Sequence, residues 1–328
     1  VCRALGATDD LLSDCQIYLK ILILFSPACM LQTFFQSFFV TAGRPHLGLF
    51  LMVGAGILNG VLDYLLIVPM HMGIEGAAIA TGLGQSLPAV VGIFFFFSRR
   101  TDLYFTPFKF NLKIIGEACY NGSSEVVSQL SNSIVTFLFN IILIRLAGAS
   151  GVAAITILLY GQFLFNAFYL GLSIGISPVI GFQYGAGQEE KLRSTYRIIM
   201  MFTCISSVVI VVLSILCSSP IVAVFTKDPD TFRLASEGFR IFAINFLFSG
   251  INIISSGLFT ALSNGKISAI ISFSRTLLFL VICLFVFPEF LGITGVWIAV
   301  PAAEFLTLLL CIRMHRKYFL TENNTTYF

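Results

Sequence analysis

Four ionisable side chains lie within long apolar stretches of this chain: Asp63, Glu125, Arg275 and Glu304. Charged groups are costly at bilayer depth, which makes them functional candidates by default. Asp63 closes the run Asn59-Gly-Val-Leu-Asp63, and the spacing of four puts amide and carboxylate on one helical face. The next stretch runs back and offers Thr81 and Gln85, also four apart. Counting about 1.5 Å per residue from the shared turn brings Asp63 and Thr81 to one level. A carboxylate, an amide oxygen and a hydroxyl meeting there suit Na⁺ or H⁺, since a hard cation wants oxygen ligands. The competing reading is an Asp that only holds two helices together through hydrogen bonds.

Arg275 and Glu304 fall near the middle of their stretches, as does Glu125. A guanidinium cannot sit at that depth unpaired, so Arg275 is expected to bond one or both carboxylates. With both carboxylates ionised, such a group attracts a cation or releases a proton; a static ion-pair lock is the rival. Glu125 heads a polar stripe, Asn121, Glu125, Gln129, Asn132, Thr136 and Asn140, spaced three or four apart. The following stretch repeats the pattern with Gln162, Asn166, Tyr169 and Ser173, and a later one with Asn245, Ser249, Asn252 and Ser256. Such faces are stable only around a cavity or interlocked by hydrogen bonds, and both remain open. Gln129, Asn132, Gln162, Asn166, Tyr169, Asn245 and Asn252 are the candidate substrate-cavity residues.

No catalytic constellation appears, so the chain does not read as an enzyme. There is no phosphate-binding glycine loop, no histidine pair at metal spacing and no Ser-His-Asp set. His46 and His71 read as loop residues and His315 as part of a basic tail. The eight cysteines are scattered without ligand spacing and read as small buried hydrophobes.

The elements that must position these groups are membrane helices. Hydrophobic residues are 57% of the chain and charged ones 11%, where a soluble domain carries about twice that charge. The apolar runs are continuous, which excludes a β-barrel. Nine spans are expected, at 17–41, 47–70, 74–98, 114–147, 151–183, 192–224, 234–262, 267–287 and 293–314. Alternate connectors and the tail hold twelve cations (Arg44, Arg99, Arg100, Lys109, Lys113, Lys191, Arg193, Arg197, Lys266, Arg313, Arg316, Lys317). The other side holds six, Arg3, Lys20, Arg145, Lys227, Arg233 and Arg240, which puts the tail in the cytoplasm. The net charge of +3 gives no reason to expect nucleic acid, because the cations lie in loops.

Pro69-Met-His-Met-Gly73-Ile74-Glu75-Gly76-Ala-Ala-Ile79-Ala80 aligns with Pro288-Glu-Phe-Leu-Gly292-Ile293-Thr294-Gly295-Val-Trp-Ile298-Ala299. A repeat of this kind in an apolar chain marks a two-lobed transporter. Six spans lead to the end of the second copy and three to the first, so three preceding helices are expected. Val1 is not an initiator Met, which fits an N-terminal truncation. The expected divisions are a partial N-lobe at 1–98, a cytoplasmic linker at 99–113 and a C-lobe with its tail at 114–328. Gly171, Gly175, Pro178, Gly181, Gly185 and Gly187 punctuate the fifth span, and Pro27, Pro88 and Pro301 interrupt others. Helices are expected to bend or touch closely there.

The run Ser177-Pro178-Val-Ile-Gly181-Phe-Gln-Tyr184-Gly185-Ala186-Gly187, followed by Lys191 and Arg193, resembles the signature of the multidrug and toxin extrusion (MATE) transporters. Asn121-Gly122-Ser-Ser-Glu125, Asn59 to Asp63, and Gly292-Ile-Thr-Gly-Val-Trp297 ending in Pro301-Ala-Ala-Glu304 are further similarities. The resemblance implies a fold of twelve helices in two lobes around a central cavity. It implies export of cationic or amphipathic compounds in exchange for Na⁺ or H⁺. It assigns Asn59, Asp63 and Thr81 to an N-lobe cation site, whose further Asp on the first family helix has no counterpart here. It also gives Glu125 a C-lobe role, while the helix that carries its Asp partner elsewhere offers Asn245 and Asn252, leaving Arg275 with Glu304 as the electrostatic alternative.

The expectation is therefore a monomeric secondary antiporter of a bacterial inner membrane. Its partners are the bilayer and a small amphipathic or cationic substrate, and it needs no cofactor beyond the coupling ion, Na⁺ or H⁺. The rivals are a lipid-linked oligosaccharide flippase of the same superfamily, which should line its cavity with several cations, and a non-transporting membrane component.

Overall fold

The structure, a computed structural model, describes residues 9–98, 103–106 and 110–320. Every regular element among them is helical. They divide into two compact units, residues 1–110 and 111–328. The cations Arg3, Arg99, Arg100 and Lys109, and residues 99–102 and 107–109 of the expected linker, lie outside the described residues.

The first unit contains α1 (Asp9–Thr41), α2 (Pro45–Ile67) and α3 (Gly73–Phe97). Gly43 (φ 70°) turns the chain and Pro45, with its pre-set φ, opens α2. Helix α3 packs on both others, and its glycines set the distances. Gly82 and Gly92 lie directly against the rings of Phe25 and Phe35 on α1, leaving no room for a side chain. Gly76 and Gly84 sit against Leu66 and Asn59 on α2, where an added Cβ would lie 3.0 Å from each side chain. Phe35, Phe39 and Phe96 form the buried aromatic core between α1 and α3, with the Phe35 and Phe96 rings stacked at 5.5 Å.

The second unit begins with α4 (Leu112–Gly185), whose first amides are capped by the Asn111 side chain. At 74 residues this element, if straight, would run about 110 Å, far beyond any bilayer. Gly148 breaks it, with φ 62° and ψ −149°, and two helices meet there. Phe139 and Leu143 before the break share a core with Ile155 and Leu158 after it, so the chain folds back on itself.

Then come α5 (Glu189–Leu216), α6 (Ser218–Phe225), α7 (Pro229–Phe242), α8 (Phe246–Ala261), α9 (Gly265–Phe273), α10 (Phe279–Leu291) and α11 (Ile293–His315). Short 3₁₀ and π turns, Ala243–Asn245 and Ser274–Leu278, join α7 to α8 and α9 to α10.

Among the described residues eight stretches are long and apolar enough to cross a membrane, against the nine expected, because the two helices meeting at Gly148 form one continuous stretch. The expected span at 192–224 is likewise divided, at Cys217.

Several expectations need correction. Gly171, Gly175 and Gly185 have open space where a Cβ would be, so they mark no close contact. The tight approaches are elsewhere: Gly161 against Phe239, Gly238 against Trp297 and Gly250 against Tyr169. Cys283 and Cys311 are buried, but Cys15, Cys119, Cys204 and Cys217 face outward. A thiol is apolar enough to point away from the protein interior in a membrane chain. His46 lies in the first turn of α2 rather than a loop.

Candidate cation site and buried charge cluster

Two contacts fix the register of α2 against α3. Asn59 lies beside Gly84 and Leu66 beside Gly76, so the helices are antiparallel and Asp63 falls level with residues 79–80 of α3, about one residue from Thr81. Asn59 faces α3, and Asp63, one turn on, shares that face. Asp63 Oδ1 and Asn59 Nδ2 are both buried without a hydrogen-bond partner. An unmet buried polar atom costs about 1–3 kcal/mol. Rotating the Asn59 amide by half a turn would present its oxygen instead, making two oxygen ligands on one face. Thr81 Oγ1 donates to the Ala77 carbonyl at 2.9 Å, and no hydrogen bond joins it to Asp63 or Asn59. The three groups thus share a level without being bonded together.

In the second unit Arg275 Nε donates to Glu304 Oε1 at 2.8 Å. Asn252 Nδ2 donates to Glu304 Oε2 at 2.7 Å and to its main-chain oxygen at 2.9 Å. Arg275 stands on the π turn, Glu304 on α11 and Asn252 on α8, so one carboxylate ties three elements. Glu125 is not part of this cluster. Its Oε1 accepts from Gln129 Nε2 at 2.9 Å, one turn along the same exposed face. The reason is height. Asn121, near the start of α4, touches Gly265, the first residue of α9, and both helices climb from that contact. Glu125 is four residues up and Arg275 ten, a gap of about 9 Å.

The polar faces divide in the same way. Gln129, Asn132, Thr136 and Asn140 are exposed and Gln162 is half-buried. Asn166, Tyr169, Asn245 and Asn252, expected on a cavity wall, are buried instead. Ser249 Oγ donates to Asn166 Oδ1 at 3.1 Å, and Tyr169 OH donates to Ser207 Oγ at 3.1 Å. Asn245 Nδ2 donates to the Phe242 carbonyl at 2.5 Å. Small neighbours such as Gly250 let these helices approach until the polar groups interlock.

His315 was missed. It is buried at the end of α11, with Nε2 2.8 Å from Ser255 Oγ and Nδ1 3.1 Å from Tyr196 OH. The ring clasps α5, α8 and α11 together. The signal was present in the sequence, since Thr307, Cys311 and His315 recur every four residues on one buried face.

No cluster of three His, Cys, Asp or Glu side chains occurs among the described residues. A transition-metal centre finds no ligand set there, whereas a single buried carboxylate with neutral oxygens suits a monovalent cation. Apolar helices, inward amides and the Glu304 carboxylate pinned within the interior define a polytopic helical membrane protein.

Comparison with known proteins narrows this class. Residues 126–285 match the MatE family model. The chain is 22% identical over 336 residues to multidrug export protein MepA of Staphylococcus haemolyticus, covering 97% of this chain and 71% of the relative. It is 23% identical to rabbit (Oryctolagus cuniculus) multidrug and toxin extrusion protein 1, covering 87% of this chain and 51% of that protein. The fold superposes on an outward-facing MATE family multidrug resistance transporter of the MOP superfamily with a TM-score of 0.89 at 23% identity, over 96% of this chain and 71% of the other. A Pyrococcus furiosus MOP superfamily transporter, described as having a binding pocket of reverse polarity, gives 0.90 at 23% identity, over 96% and 72%. The chain is a multi-pass membrane protein that is similar in sequence and in fold to MATE transporters.

Proposed function

We propose that the protein is a secondary active exporter of amphipathic or cationic small molecules, driven by Na⁺ or H⁺ exchange. It is not an enzyme on this reading. Kinship to multidrug export proteins supports the efflux part. The observation that carries the coupling part is the buried, unpartnered Asp63 Oδ1 beside the equally unpartnered Asn59 amide. A cation entering there satisfies the carboxylate, and Thr81 turns its hydroxyl from Ala77 to complete the set. Each charge moved inward is driven by about 2.3 kcal/mol per 100 mV. Loading and emptying the site then shifts the helices between two arrangements, with Pro27, Pro88 and Pro301 as bending points.

The protein acts as a monomer in the inner membrane of a bacterial cell, crossing it nine times if Gly148 is counted as the turn between two crossings. The test is reconstitution in liposomes loaded with ethidium. Acceleration of ethidium efflux on imposing an inward Na⁺ or H⁺ gradient is the expected result. Ethidium movement indifferent to both gradients would remove the coupling.

A further inference from the structure

Arg275 carries more hydrogen-bonding capacity than the protein uses. Its Nε serves Glu304 Oε1, and Asn252 serves Glu304 Oε2, so both carboxylate oxygens are occupied. The two terminal nitrogens of the guanidinium find no acceptor among the described residues. Exposure divides the same way: the Glu304 side chain is 6% exposed and that of Arg275 18%. The carboxylate is sealed and the outer edge of the guanidinium is reachable. Guanidinium donors are best served by an acceptor, so this reachable edge is free to take one from outside the protein.

Its support is rigid. The Nε bond fixes the plane of the guanidinium, and Arg275 sits in the π turn Ser274–Leu278, a local widening common at functional positions. Helix α4 packs against that turn, and the Asn121–Gly265 contact puts exposed Asn132 at about the same height. A planar fork with its inner edge anchored matches the two oxygens of a carboxylate, sulfonate or phosphate.

We propose that Arg275 is the anchor for an oxyanion group on the transported molecule. The second unit therefore selects zwitterionic or anionic amphiphiles over purely cationic ones, and Asn132 is a neighbouring hydrogen-bonding contact. This rests on the export reading above, but it is tested by binding alone.

The probes are rhodamine B, which bears a free carboxylate, and its ethyl ester, which differs only at that group. Binding is measured by fluorescence polarisation with the purified protein in phosphatidylcholine nanodiscs. Rhodamine B is expected to bind about tenfold more tightly than the ester, the factor of a charge-assisted hydrogen-bond pair. Arg275→Gln removes that preference by weakening rhodamine B alone, and Arg275→Lys retains part of it. Because Arg275→Gln leaves Glu304 uncompensated, Arg275→Gln with Glu304→Gln is the second variant, with the same loss expected. Phosphatidylglycerol that displaces rhodamine B would assign the fork to a lipid headgroup, which still supports an oxyanion site at Arg275. Equal affinity for acid and ester, or a preference surviving in both variants, overturns the assignment and leaves the export reading standing. Binding of neither dye also overturns the assignment, while driven ethidium efflux decides the export reading separately.

Discussion

Arg275 Nε meets Glu304 Oε1 at 2.8 Å between two elements that the chain separates by 29 residues. The carboxylate is nearly sealed, so this is a buried ion pair, and such pairs behave asymmetrically. Removing one partner costs about 3–5 kcal/mol because the other charge is stranded. Arg275→Met should therefore lower the melting temperature sharply in detergent. Arg275→Met with Glu304→Leu should restore most of the loss. Additive losses in this double-mutant cycle would show that the two side chains do not stabilise each other.

Gly250 lets α8 press against Tyr169 on α4, with an added Cβ 2.5 Å from the ring. Tyr169 is fully buried and hydrogen-bonded, so it cannot move aside. Gly250→Ala should destabilise by about 1–3 kcal/mol through overpacking. Gly175→Ala, where nothing lies within 4 Å, should be neutral or gain about 0.5–1 kcal/mol from helix propensity. Thermal denaturation of the two variants side by side checks this, and equal shifts would contradict the packing described here.

These two cases show how far the sequence reaches. Paired buried charges at Arg275 and Glu304, and the shared face of Asn59 and Asp63, follow from spacing and the cost of charge in an apolar setting. The exclusion of Glu125 does not, because it depends on the Asn121–Gly265 contact that sets relative height. Asn166, Tyr169, Asn245 and Asn252 were legible as a polar face but not as interior, since periodicity cannot distinguish a wetted wall from an interlocked seam. Gly148 was legible as a turn residue; the continuous run of helix on either side of it was not.

Asp228 caps α7 by accepting from the Thr231 hydroxyl at 2.6 Å and from the Thr231 amide at 2.9 Å. These two bonds, the hydroxyl's first, hold its carboxyl below the usual carboxylate range. A group with a depressed folded pKa contributes its stability above the unfolded value, about 3.9, and loses it as pH falls through the folded value. Asp228→Asn keeps the acceptor but cannot titrate. The melting-temperature difference between wild type and Asp228→Asn should be constant from neutral pH down to about 5 and shrink below about 4. A difference that widens on acidification would contradict the cap.

The thiols offer a direct check on burial. Cys217, at the junction of α5 and α6, is exposed, while Cys283 and Cys311 are enclosed in the second unit. Maleimide labelling of the folded protein in detergent, read by peptide mass spectrometry, should modify Cys217 well before the other two. Early modification of Cys311 would contradict the packing of α11 against α8.

The central claim is that the unpartnered Asp63 carboxylate is the coupling site. The most direct measurement is ion-driven ethidium efflux from proteoliposomes containing wild type or Asp63→Asn, each verified as folded by its melting curve. The account predicts that Asp63→Asn loses acceleration by an inward Na⁺ or H⁺ gradient, through about a tenfold or greater fall in driven rate, because a neutral amide cannot load and release the ion. Wild-type driven efflux in Asp63→Asn would contradict it.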